Sequence, residues 1–180
     1  MHIRKAQITD IDTIMNIYAR ARSFMAETNN PNQWGPTSWP PKSLIENDIT
    51  NGNCYVCVTE EADKPEEILG VFFFEMGVAE KTFVEPCYEA ITNGSWQDNS
   101  PYGVVHRIAT SGATKGVGAF CLDWAYERSG HLRIDTHPDN KVMQNLLGKL
   151  GFICCGTIYV EEDNFPRLAF ERVSSSLPKR

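Results

Sequence analysis

Val104-Val105-His106-Arg107-Ile108-Ala109-Thr110-Ser111-Gly112-Ala113-Thr114-Lys115-Gly116-Val117-Gly118-Ala119-Phe120 is the stretch on which the reading of this chain turns. Val104 to Thr110 is a strand-like run. From Val117 to Arg128 the residues Val117, Phe120, Cys121 and Trp124 form one apolar stripe, with Gly130 as the stop signal, so a helix begins inside the quoted segment. Consecutive glycines let a backbone approach a ligand closely, and the unpaired N–H groups of a helix start favour a phosphate. Lys115 adds a point charge suited to a pyrophosphate. A plain tight turn would also use these glycines; it is the strand-loop-helix context that gives them meaning. The segment is not a Walker A loop, having no Gly-Lys-Ser/Thr at the required spacing, and it is not a GxGxxG fingerprint.

Outward from this segment the same signals place three more helices. One covers about Asp10 to Met25, with Ile11, Ile14, Met15, Tyr18 and Met25 on one face and Thr9 with Asp12 as a capping box. A short one fits Ser43 to Asn51, with Ser43 as N-cap and Gly52 just past its end. The last starts near Pro138 as its first residue, shows Val142, Met143, Leu146, Leu147 and Leu150, and stops at Gly151. Strand-like runs fall at Ile3 to Gln7, Cys54 to Thr59, Leu69 to Met76, Val104 to Thr110, Leu132 to Thr136, Cys154 to Val160 and Arg167 to Arg172. The order β α α β β β α β α β β mixes hairpins with crossover units. It predicts one α/β (α+β) domain over 1–180, with a mixed, twisted sheet of about seven strands and four helices on its faces.

Bulk properties narrow the partners. A chain of 180 residues can bury roughly 70% of its unfolded surface in one domain. Apolar residues are 42% and charged residues 22%, and no apolar run approaches the roughly 20 residues of a membrane span. The start, MHIRKAQITDID, lacks the apolar core of a secretory signal, so the expected compartment is the cytoplasm and the expected cysteines are reduced. A net charge of −6 argues against nucleic acid and against an anionic membrane. Cys54 and Cys57 form a CxxC, but three-residue spacing on a strand sends them to opposite faces and no second Cys/His pair follows, so no metal is expected. Asn93-Gly94-Ser95 reads as a turn.

Ile134-Asp135-Thr136-His137-Pro138-Asp139-Asn140 leads from a strand into the fourth helix, which ends Lys149-Leu150-Gly151-Phe152. Together with the Lys115–Phe120 loop, this block resembles the GNAT superfamily of N-acetyltransferases, and the resemblance extends to the element order of nearly the whole chain. It implies acetyl-CoA as cofactor, with its pyrophosphate on Lys115, Gly116, Val117, Gly118, Ala119 and Phe120. Ile108 and Thr110 join this cofactor set from the preceding strand, and Asn140 is the matching contact for the pantetheine arm. The chain departs from the family at Lys115, where Arg or Gln is usual, and at Phe120, where Gly or Ala is usual. It also departs at Leu147, which stands where a Tyr acid toward the leaving thiolate is often found.

Acyl transfer from a thioester to an amine needs an unprotonated amine, an oxyanion stabiliser and a proton route. Backbone N–H groups at a bulge of the Val104–Thr110 strand suit the oxyanion. His106 is the first choice of base, since it lies where family members often carry Glu and imidazole titrates near neutrality; Glu75 is the second. Tyr126 and Tyr159 are the alternatives for the missing acid. Cys121 lies on the apolar stripe and reads as core, and His137 as a strand end or helix cap. Two long irregular segments, Ala26 to Lys42 and Gly77 to Gly103, have the length of binding loops. Trp34, Trp39 and Trp96 from these segments would wall the site of a small-molecule or peptide amine acceptor. The competing expectation is a non-catalytic module on the same fold that senses acyl-CoA or a small ligand. Pairing of two copies through an edge strand or the Trp-bearing loops is compatible with either.

Overall fold

The structure is a computed structural model that describes residues 1–34, 37–60, 64–76, 91–159 and 165–174. Its elements are β1 (His2–Lys5), α1 (Ile11–Glu27), α2 (Lys42–Thr50), β2 (Cys54–Val58), β3 (Ile68–Met76), β4 (Gly103–Thr110), α3 (Val117–Ser129), β5 (His131–Thr136), α4 (Lys141–Lys149), β6 (Ile153–Tyr159) and β7 (Pro166–Val173). The order is the one expected from sequence. The strands form one sheet in the order β1-β2-β3-β4-β5-β7-β6. Every neighbouring pair is antiparallel except β4 and β5, which are parallel and joined through α3.

Strand alternation sorts the apolar residues into two layers. Val56, Val58, Val71 and Ala109 meet Ile14, Ile17, Tyr18 and Ile45 of α1 and α2 on one face. Phe72, Phe74, Val105, Leu132 and Ile134 meet Cys121, Leu122, Ala125 and Leu147 of α3 and α4 on the other. Cys54 belongs to the first layer and Cys57 to the second, as strand spacing requires. The start of α3 rests on β3 at Gly70, where a Cβ would lie 2.8 Å from Val117 Cγ1.

Three predicted helix starts need correction. Thr9 and Asp12 do not form the capping box; a short 3₁₀ turn (Ile8–Asp10) precedes α1, and the Asp10 carboxylate accepts the Gln7 N–H at 2.8 Å. Arg4 holds Asp10 in place at 2.7 Å. At α2 the N-cap is Pro41 and Ser43 lies within the helix. At α4, Asn140 rather than a residue before Pro138 provides the cap, its Oδ1 accepting the Met143 N–H at 3.0 Å. Apolar periodicity locates a helix to within a turn, but which nearby oxygen reaches the free N–H groups depends on how the chain enters.

A buried polar knot fixes the segment 91–102 to the far half of the sheet. Glu171 of β7 is fully buried and accepts from Arg133 Nε at 2.8 Å and from the Gln97 N–H, and it pairs with His131 Nε2 at 2.8 Å. The Arg133 guanidinium lies between the rings of Trp96 and Tyr102, 4.1 and 3.9 Å from their centroids. Burial alone would raise the Glu171 pKa, but hydrogen bonds from His131, the Gln97 N–H and Arg133 outweigh it and hold the carboxyl below its ordinary value. The stability it contributes is therefore complete above the ordinary carboxylate range and is lost as pH falls below it. Glu171→Ala, which leaves a buried guanidinium without its carboxylate, should cost about 3–5 kcal/mol in urea unfolding at neutral pH; a cost under about 1 kcal/mol would show that ring stacking alone secures Arg133.

Candidate active site

β4 and β5 pair only at Gly103↔Leu132 and Val104↔Arg133, then part. Beyond that point β4 bulges. Val71 pairs with Ala109 but Phe73 with His106, so Arg107 and Ile108 oppose the single residue Phe72. Arg107 takes up the bulge with φ of 53°, a left-handed conformation that a residue with a Cβ adopts at a cost of about 1 kcal/mol or more. Three contacts hold it there. Its Nη2 donates to the buried Asp48 of α2 at 2.9 Å, its guanidinium stacks on Phe73 at 4.7 Å, and its carbonyl accepts the Tyr18 hydroxyl at 3.0 Å. A cavity of about 850 Å³ fills the opening. Its floor is Val105–Thr110 of β4 and Ile134–Thr136 of β5, and α1, α4 and the segment after α1 form its walls. Past Val104 the β5-facing edge of β4 has no strand partner among the described residues, which leaves backbone donors at the bulge for a ligand.

One end of the cavity is the glycine loop. Gly116 precedes α3 in a left-handed conformation, φ 84°, with open space around it, and Phe120 is the first residue of α3 whose N–H returns to Gly116 O, at 3.0 Å. The N–H groups of Val117, Gly118 and Ala119 are therefore the free donors of the helix start. Gly118 lines the cavity, and a Cβ there would lie 3.3 Å from Leu146 Cδ2 of α4. Arg20 of α1 reaches the same place. Its guanidinium lies where a Cβ on Gly112 would meet it at 2.7 Å, and it makes no hydrogen bond or ion pair among the described residues. Sequence reading missed Arg20 because only the pairing of α1 with the β4–α3 link brings it near.

His106 is nine-tenths buried and lines the cavity beside Asp135, with Nδ1 and Oδ1 3.6 Å apart; Arg167 of β7 stands 4.0 Å from the other Asp135 oxygen. Burial pushes the His106 pKa down to about 4, against the attraction of Asp135 and with help from Arg107. The expectation of titration near neutrality is thus corrected: the imidazole is neutral throughout the physiological range. Glu75 pairs with Val104 at the narrow end of the wedge and is not among the cavity-lining residues. Ile108 and Thr110 line the cavity, as does Thr136, whose buried hydroxyl has no partner among the described residues.

Trp34 and Trp39 line the cavity, Trp34 set edge-on to Tyr18 at 5.7 Å. Trp96 does not; it stacks on Arg133, as described above. Residues 77–90 of the second long segment lie outside the described residues. Leu147 is fully buried in the core, and α4 turns Val142, Met143 and Leu146 toward the cavity instead. Neither Tyr126, which stacks under Arg172, nor Tyr159, half exposed on the edge strand β6, lines it. His137 Nδ1 accepts the Asp139 N–H at 3.1 Å just past the end of β5; of its two expected roles it keeps the strand end, because Asn140 caps α4. A hydrogen bond with Cys57 and burial raise the Cys121 thiol far above its ordinary pKa, which leaves it a core residue.

No protein-family model and no curated relative matches the sequence, so the likeness to known proteins comes from solved structures. A GNAT-family acetyltransferase from Streptococcus agalactiae 2603 shares 30% identity over 96% of this chain and 94% of its own, with a TM-score of 0.80. A ribosomal-protein-alanine N-acetyltransferase from Brucella melitensis shares 17% identity over 96% of this chain and 99% of its own, with a TM-score of 0.57. A phosphinothricin acetyltransferase from Sinorhizobium meliloti, in complex with AcCoA, shares 16% over 95% of this chain and 86% of its own, with a TM-score of 0.60. The last two share the fold while their names point to unlike acceptors. With its parted β4 and β5, its glycine-started α3 and its 30% identity over nearly the full length of a GNAT-family acetyltransferase, the chain belongs to the GNAT superfamily.

Proposed function

We propose that the chain transfers an acetyl group from acetyl-CoA to a primary amine of a small molecule or peptide. The observation that carries this reading is a single cavity that joins a phosphate-compatible helix start to a buried, neutral imidazole. The residues fit the cofactor: the open left-handed Gly116, the free N–H groups of Val117 to Ala119, and the Arg20 guanidinium, which makes no hydrogen bond or ion pair among the described residues, would form a cradle for a pyrophosphate. Lys115 and Phe120 flank that cradle, and Asn140 with Ile108 and Thr110 lines the way along the cavity. Acetyl-CoA would supply the activated acyl group; as the C–N bond forms the C–S bond breaks, and CoA leaves as a thiolate that takes up the amine's second proton. His106, neutral at physiological pH, takes the proton that an ammonium acceptor must lose, directly or through water. Backbone donors at the Arg107–Ile108 bulge face the place where negative charge develops. Trp34 and Trp39 form the apolar wall for the acceptor.

The wholly apolar face that α4 turns to the cavity favours, as second reading, a module that binds acyl-CoA without turnover. Thiol release in the presence of a panel of amines separates the two: acceptor-dependent release supports the enzyme, and binding without it supports the sensor.

His106→Gln should lower kcat by about 10²-fold or more and remove the acidic limb of the pH–rate profile, which His106 sets well below neutrality, while CoA affinity is retained. An unchanged rate and profile would take His106 out of the chemistry. Gly118→Val crowds Leu146 and the phosphate cradle together, and Arg20→Ala removes one cation from it. Both should weaken CoA binding measured by calorimetry, the first by 100-fold or more and the second by about tenfold with a shallower salt dependence. Wild-type affinity in Gly118→Val would refute the cradle.

A further inference from the structure

A chain of hydrogen bonds on the cavity wall beyond the glycine loop fixes the orientation of one side-chain amide that the reading above leaves unused. The Met143 N–H at the start of α4 can only donate, so the Asn140 atom facing it, at 3.0 Å, is the carbonyl oxygen. The Asn140 amide nitrogen then faces Gln33 at 2.8 Å, and the Gln33 atom that receives it must be Oε1. The amide of Asn30, itself buried, donates to the same Oε1 at 2.8 Å. Turning the Gln33 amide over would set its nitrogen against two donors. Gln33 is therefore held with its acceptor filled twice and its Nε2 making no hydrogen bond among the described residues, on a half-buried side chain that lines the cavity.

Such a group can serve only a hydrogen-bond acceptor in whatever fills the cavity. Its place decides which. The face of α4 that runs from Leu146, beside Gly118, to Asn140 and Gln33 lines the cavity throughout. At ~1.5 Å per residue it spans about 9 Å. A ligand whose phosphates rest on the α3 start and whose arm follows this face passes Gln33 partway along its length. On the reading that acetyl-CoA binds here, we propose that Gln33 Nε2 donates to an amide carbonyl of the pantetheine arm, and that the Asn140 side chain acts partly as the device that orients it.

Gln33→Glu is the decisive variant, because the carboxylate still accepts from Asn30 and Asn140 while the cavity-facing donor becomes an acceptor. Gln33→Met removes both roles and serves as a second variant, and thermal unfolding of each confirms that it folds. Calorimetry with CoA and with adenosine 3′,5′-bisphosphate, which has no pantetheine, reads the result. The proposal predicts CoA affinity at least about tenfold weaker in Gln33→Glu, with the bisphosphate bound as in the parent protein. Equal CoA affinity in the parent and Gln33→Glu would overturn the proposal. So would unchanged CoA binding with a raised KM for an amine, which would assign the donor to the acceptor. Failure of the parent protein to bind either ligand would instead refute the cofactor reading on which it rests.

Discussion

The parting of β4 from β5 after Val104 is the constraint from which the functional half of the molecule follows. Two parallel strands that stayed paired to their ends would leave no room for a ligand between them, and the edge of β4 would be spent on β5. The bulge at Arg107–Ile108 bends β4 away, and it survives because Asp48, Phe73 and Tyr18 each grip a different part of Arg107. Two of those contacts come from α1 and α2, so the helices on that face do more than cover apolar surface. They hold the left-handed residue that opens the sheet.

The opening brings together groups that lie far apart in the chain. Arg20 of α1 lies beside Gly112 near the start of α3, and Asn140 is hydrogen-bonded to Gln33 from the segment after α1. His106, Asp135 and Arg167 come from three neighbouring strands on one sheet face. A neutral imidazole among these groups follows from burial outweighing the attraction of Asp135. On the proposed reading, such an imidazole would be ready as a base at neutral pH but weaker than a free one, so an amine acceptor would have to bring its own proton close to it.

Much of this frame was legible in the sequence, because the signals were local. Strand-like runs marked the strands, and apolar stripes at helical spacing marked the helices to within a turn at each end, with a glycine past α2, α3 and α4 but not past α1. The strand-loop-helix context identified the glycine segment, and the CxxC was resolved by the period of a strand. What was not legible depends on distant partners. Arg20 and Gln33 carry no sequence signal of their own and gain a role only from what the fold places beside them. Trp96 looked like Trp34 and Trp39 in the sequence, yet Arg133 and Glu171 draw it to another cluster. The His106 pKa could not be read from residue type, since burial decides it. Leu147 matched the family's acid by position, but the helix turns it into the core and shows Leu146 to the cavity.

If acyl-CoA lies in the wedge opened by the β4 bulge, from the α3 start to His106, backbone amide chemical-shift mapping with CoA should show perturbations concentrated at Gly112, Lys115–Phe120, Arg107–Thr110 and Gln33, with β1 and β6 unmoved. Perturbations centred elsewhere, or confined to the helix start with none at the bulge, would contradict it.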